Sequence, residues 1–337
     1  MVPLDKSDYA HVRPVFEGLR YNLVVDSVLD GNTPGWVYVD DVRRPQTAWM
    51  WDMMDAMLVA GRADDEEVDC ALAHLIDERV LPNTVIPMLS LHYFPEEWEG
   101  KMDVVLHGKG VRKAWRRFYT FGGLKADWRR AMPAACQMRR IDEELLESAH
   151  LGNVRDVAGW VRSFWASYRD FVETGFGFCL VERVPEAPPG RGLGAREGRG
   201  LRAGEGRGLG VERAPEPPPG RGLGAREGRG LGAGEGEPPL GRGRGAEGGT
   251  IASWCLSVFA SGMHFELGLA TAPDYADEYI RGRGYATLTA AACVEHCAEH
   301  GLTPHWHCWE DNAPSMRVAE KVGFERPERY AVYRFEW

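Results

Sequence analysis

The sequence predicts a mixed α/β (α+β) fold, a mostly antiparallel sheet flanked by helices. Strand-like and helix-like patterns alternate irregularly from Cys136 onward, unlike the regular repeat of a doubly wound sheet. A glycine-rich run, "RGRGYAT" at residues 281–287, falls between a strand pattern and a helix pattern. Two further strand patterns read as a hairpin although residues 184–249 lie between them.

The elements follow in order. In the first 133 residues, "NLVVDSVLDGNTPGWVYVDD" reads as a hairpin around Asp30-Gly31-Asn32, and "EEVDCALAHLIDERVL" as an amphipathic helix. The dense Trp49-Met50-Trp51-Asp52-Met53-Met54 run reads as core or lid packing. "CQMRRIDEELLE" supplies a strand and turn. Val154, Val157, Val161, Phe164, Tyr168 and Phe171 recur at helical spacing up to Gly175, a helix stop. "FGFCLVE", "TIASWCLSVF" and "HFELGLAT" read as strands. "LTAAACVEHCAEHG" reads as a helix, "TPHWHCW" as a strand, "SMRVAEKVG" as a helix and "RYAVYRFEW" as a last strand. This divides the chain into an N-terminal α/β lobe, residues 1–133, and a second domain, 134–337.

The interruption at 184–249 contains one thirty-residue unit twice, from Val181 and again from Val211, without aromatic residues or cysteine. Such a segment buries too little apolar surface to offset its ordering entropy, so disorder is expected. Its arginines are nearly balanced by glutamates and no aromatic is interleaved for base stacking, which argues against an RNA-binding role. A repeat expansion in a tolerant loop is the better reading, and its deletion should leave the rest of the protein working.

Composition bounds the function. A net charge of −10 argues against a phosphate-backbone binder, so no nucleic-acid partner is expected. The first twenty residues show no targeting pattern and no run of 18 apolar residues occurs, so a cytoplasmic protein without membrane contact is expected. Seven irregularly spaced cysteines suit reduced thiols. Cys293, His296, Cys297 and His300 share one side of a helix, but four ligands on consecutive turns cannot converge on one tetrahedral centre, so no metal is expected.

The run at 281–287 is the informative motif. Glycines after a strand let a backbone approach a ligand, and the following helix aims its free N–H groups and positive dipole end at it, which suits a pyrophosphate. With "ELGLATAPDY", "HWHCWEDNAPS" and "AEKVGF", this region resembles the GNAT N-acetyltransferase superfamily, nearest its bacterial zwittermicin-resistance branch. The resemblance covers the C-terminal part without the insert. It implies the GNAT fold, acetyl-CoA as co-substrate, and a small-molecule amine as acceptor. By that resemblance Arg281, Gly282, Arg283, Gly284, Tyr285 and Ala286 form the pyrophosphate loop. Leu269, Ala270 and Thr271 form the strand edge that pairs with the pantetheine arm. Asn312 holds the cofactor, or caps the next helix, or both.

Two departures stand out. "ADEYI" lengthens the turn before Arg281, and Ala319 stands where many relatives carry a tyrosine acid. A thiol with a pKa of about 8.5 leaves tolerably without one. An amine with a pKa near 10.4 is mostly protonated at neutral pH, so a base matters more. Glu266 and His307 both match base positions in branches of the family, with Glu266 favoured slightly. An acyl-CoA-binding protein with little turnover and a protein N-acetyltransferase are the alternatives, and the sequence leaves the oligomeric state open.

Overall fold

The computed structural model describes residues 1–84, 86–183, 249–272 and 282–337. The insert, the "ADEYI" turn and Arg281 lie outside the described residues.

Two runs of elements follow one another in the same order. The first is β1 (Val2–Pro3), α1 (Tyr9–Val12), α2 (Val24–Leu29), β2 (Trp36–Val39), β3 (Thr47–Trp51), β4 (Ala56–Gly61), α3 (Glu66–Leu75), β5 (Leu89–Phe94), α4 (Met102–Val105) and β6 (Gly110–Phe121). A short helix, α5 (Trp128–Ala131), links it to the second. That run is β7 (Cys136–Arg140), α6 (Glu143–Leu146), α7 (Val154–Phe164), α8 (Tyr168–Thr174), β8 (Gly177–Glu182), β9 (Thr250–Ser261), β10 (His264–Thr271), α9 (Tyr285–His300), β11 (Thr303–Trp309), α10 (Ala313–Val322) and β12 (Phe324–Glu336). Each half therefore has helices after its first strand, an antiparallel set, one parallel pair joined by a helix, and a last strand.

The halves share one sheet, ordered β1-β2-β3-β4-β5-β12-β6-β11-β10-β9-β8-β7. The last strands are exchanged. β12 pairs with β5 of the first half, β6 pairs with β11 of the second, and β6 and β12 pair with each other from Phe324↔Phe121 to Glu336↔Gly110. The division placed after residue 133 falls in the link between β6 and β7, yet hydrogen bonding crosses it on both sides of the central pair.

The parallel pairs differ in one respect that matters. β4 and β5 stay paired from Ala56↔Ser90 to Ala60↔Phe94. β10 and β11 pair only from His264↔Thr303 to Glu266↔His305, although the strands continue to Thr271 and Trp309. At that point β9 carries an extra residue, Val258, between the partners of Glu266 and Leu267, a bulge that shifts the β9–β10 register. The sheet of the second half therefore parts and that of the first does not.

One expectation is corrected. The stretch before Asp30-Gly31-Asn32 is the helix α2, not a hairpin strand, and all six of its residues are buried. A segment covered on every side has no polar face, so its periodicity cannot separate helix from strand. The helix expected up to Gly175 is two, α7 and α8, and Ser167 accepts from Asp170 N at 3.1 Å to cap the second. Trp49, Met50 and Trp51 are buried core residues.

Glu182 on β8 is opposite Thr250 on β9, so the insert leaves and re-enters the sheet at adjacent positions. Replacing residues 184–248 with a two-residue turn shortens the closed loop, which is worth roughly 2 to 3 kcal/mol of closure entropy. The thermal midpoint is expected to stay level or rise; a fall of several degrees would show that the segment supports the fold.

Candidate active site

The parting of β10 from β11 opens a cavity of about 220 Å³. Its walls come from both halves: Glu266, His307, Trp309 and Asn312 from the second, and Asn22, Asp52, Asp55 and Arg116 from the first, with Tyr330 from the exchanged strand. Strand register explains the convergence. Glu266 is opposite His305, His307 opposite Phe118, Trp309 opposite Arg116, and Arg116 opposite Tyr330. Since side chains alternate along strands, all of these share one face of the sheet.

Glu266 is 7% exposed, and its Oε2 has no hydrogen-bond partner. Burial pushes its carboxyl up to about 7, with Arg116 pulling it down and Asp55 adding to the rise. The nearest base-type group is His307 Nε2, 4.0 Å from Glu266 Oε2. His307 Nδ1 lies 2.8 Å from the Tyr330 hydroxyl, which fixes the ring. Burial first, then Arg116 and neighbouring histidines, hold His307 well below its usual range, so it stays neutral. The structure thus brings together the two residues expected as alternative bases, and it is the carboxylate that titrates near neutrality.

The expected cofactor residues form a second group. Leu269, Ala270 and Thr271 pair with Cys255, Trp254 and Ser253 of β9, while their other edge lies beyond the last β11 partner. Gly282 and Gly284 have φ of +102° and +79°, and a Cβ at either would meet nothing within 4 Å. Gly284 caps α9, which begins at Tyr285 and carries no acidic residue in its first turn. The corresponding helix of the first half, α3, opens with Asp65 as cap followed by Glu66 and Glu67, charges that oppose an anion there. Arg283 and the Tyr285 hydroxyl both donate to Glu182 Oε1 at 3.2 Å, tying the loop to β8. Asn312 Oδ1 accepts from Ser315 N at 3.1 Å and so caps α10. Ala319 is fully buried.

These observations fit coenzyme A: an open left-handed glycine turn on an uncluttered helix N-terminus, beside an unpaired strand edge. The thiols and histidines of α9 have other surroundings. Cys293 and Cys297 are buried, and Cys293 Sγ donates to the Cys255 carbonyl at 3.1 Å. Among the described residues no group of three metal-ligating side chains converges.

Sequence reasoning missed Arg116, Asp52, Asp55, Asn22 and Tyr330. Asp52 lay within the Trp/Met run and Asp55 directly after it. Asp52 is buried, its Oδ1 accepts from Met54 N at 2.8 Å and Ala56 N at 3.1 Å, and burial together with Asp55 holds its carboxyl well above the usual range.

The fold has known relatives. The family model described as GNAT acetyltransferase matches residues 13–184 and 241–333. An uncharacterized N-acetyltransferase, YdfB of Bacillus subtilis (strain 168), is 19% identical over 98% of this chain and 97% of its own. Among solved structures, a GCN5-related N-acetyltransferase-like protein from Streptococcus suis 89/1591 is 18% identical with a TM-score of 0.58, covering 98% of this chain and 99% of that one. A GCN5-related N-acetyltransferase from Sphaerobacter thermophilus is 11% identical with a TM-score of 0.51, covering 99% and 94%. The match spans both halves, and the chain belongs to the GNAT acetyltransferase family.

Proposed function

We propose that the protein transfers an acetyl group from acetyl-CoA to a primary amine of a small molecule, with Glu266 as the base. The observation that carries this is a buried carboxyl with a pKa of about 7 at the point where the sheet parts. Gly282, Gly284 and the first turn of α9 would hold the pyrophosphate, and the free edge of Leu269, Ala270 and Thr271 the pantetheine arm. When bound, acetyl-CoA supplies an electrophilic thioester carbon. The attacking nitrogen must be neutral, and a carboxylate matched to neutral pH is suited to take the ammonium proton. Carbon–nitrogen bond formation then expels the thiolate, which requires no strong acid. His307, neutral and held by Tyr330, borders Glu266 and keeps its ring oriented.

Release of coenzyme A thiol, followed with a panel of small amines, tests this reading. Turnover with at least one amine and its loss on Glu266→Gln is expected. Binding of acetyl-CoA without release across a broad panel would favour an acyl-CoA-binding protein instead, for which the buried Ala319 in place of an acid is the motive.

A further inference from the structure

We propose that the acceptor is an amino carboxylic acid, its carboxylate held by Arg116 while its amine faces Glu266. This deepens the acetyltransferase reading and rests on it. Arg116 lies on β6, opposite both Trp309 and Tyr330, and so on the face that carries Glu266 and His307. Its guanidinium lies 5.0 Å from the Trp309 ring centre and makes no hydrogen bond or ion pair with any described residue. Its Nε is buried without a partner. The neighbouring arginines are placed otherwise: Arg117 and Arg329 both bind Glu310, at 3.1 and 2.9 Å, and Arg334 lies 4.0 Å from Asp311.

A guanidinium with unused donors in a cavity wall is a fork shaped for a carboxylate. Leaving the Nε–H unmet out of water is costly, so an anion in the cavity that meets it gains its full strength. Charge selects which anion. The same cavity holds the Asp55 and Glu266 carboxyls, and the Asp52 Oδ2 is buried without a partner. A doubly charged phosphate would meet repulsion from that side. A molecule with one ammonium and one carboxylate places opposite charges against both walls, the ammonium toward Glu266 and Asp55 and the carboxylate toward Arg116. The aromatic walls at Trp160, Phe164 and Phe259 can cover an apolar remainder. Both halves thus line the acceptor side, the first with Arg116 and Asp55, and the second also supplies the cofactor cradle.

The test compares matched acceptors that differ only in the carboxyl: phenylalanine with phenylalaninamide, leucine with leucinamide, and 4-aminobutyrate with 4-aminobutyramide. With acetyl-CoA, kcat/KM for the acid of at least one pair is expected to exceed that of its amide by about 10- to 100-fold. In Arg116→Gln that ratio should fall toward one, mainly through KM of the acid, and in Arg116→Lys it should be partly kept. A general loss of fold, or a change in Glu266, alters both members of a pair and cancels in the ratio. Equal rates for acid and amide in every pair of the unaltered protein, or a ratio that Arg116→Gln leaves in place, would overturn the proposal. If no amine of the panel is acetylated, calorimetric binding of the same pairs to the coenzyme A complex decides it separately from the catalytic reading. Preferential binding of an acid that Arg116→Gln removes would sustain the Arg116 site, and the absence of such a preference would overturn it.

Discussion

Glu266→Gln is expected to lower kcat for acetyl transfer by about 10²- to 10⁴-fold, the range for loss of a general base. Glutamine keeps the shape of the side chain but accepts no proton. In the unaltered protein the rate should rise with pH through about 7, because the carboxyl is the base only once ionised and burial has raised it to that value. In the variant this limb should vanish, leaving the dependence set by the amine. Stability should respond with the opposite sign. A carboxyl raised from 4.5 to about 7 favours the folded state below its unfolded value, and that contribution is lost as pH rises through about 7. The difference is on the order of 3 kcal/mol. Thermal unfolding between pH 5 and pH 8 should therefore show the midpoint of the unaltered protein falling relative to that of Glu266→Gln. A variant that stays active and keeps the same pH limb would remove Glu266 from the mechanism.

Gly284→Val should abolish useful binding of coenzyme A. The φ of +79° is open to glycine and strained for any branched side chain. A left-handed non-glycine residue costs roughly 1–2 kcal/mol, so the turn that presents the α9 N-terminus is expected to leave this conformation. We expect Kd for coenzyme A to rise about 100-fold or more, the equivalent of about one or two anion-to-amide hydrogen bonds. Thermal shift gives the cleaner reading. Ligand at 100 times Kd stabilises by about 2.7 kcal/mol, so the unaltered protein should shift visibly and the variant barely. An undiminished shift would place the cofactor elsewhere.

The C-terminal sheet and its helices were legible because each carried a local signal: alternation in "TPHWHCW", a left-handed glycine at each end of α9, and Asn312 before Pro314 at the start of α10. Glu266 and His307 could be singled out because the resemblance puts bases at both positions. What could not be read was partnership between distant strands. Nothing in "VRKAWRRFYTF" says that β6 lies between β11 and β12, and Arg116 looks there like one more solvated cation among four. Its importance comes from facing Trp309, a residue 193 positions away, across a ladder that only the folded chain defines. The buried helix α2 escaped for a related reason, since its neighbours rather than its own pattern chose its conformation.

The crossed terminal strands have a mechanical consequence. A hinge between the halves would have to unzip the central ladder that runs from Phe324↔Phe121 to Glu336↔Gly110. Arg116 stands on that ladder opposite Tyr330, so its backbone is anchored to a strand from each half and not to a swinging domain. On the proposed reading, acceptors whose two charged ends reach Arg116 and Glu266 together would be favoured over much shorter or longer ones.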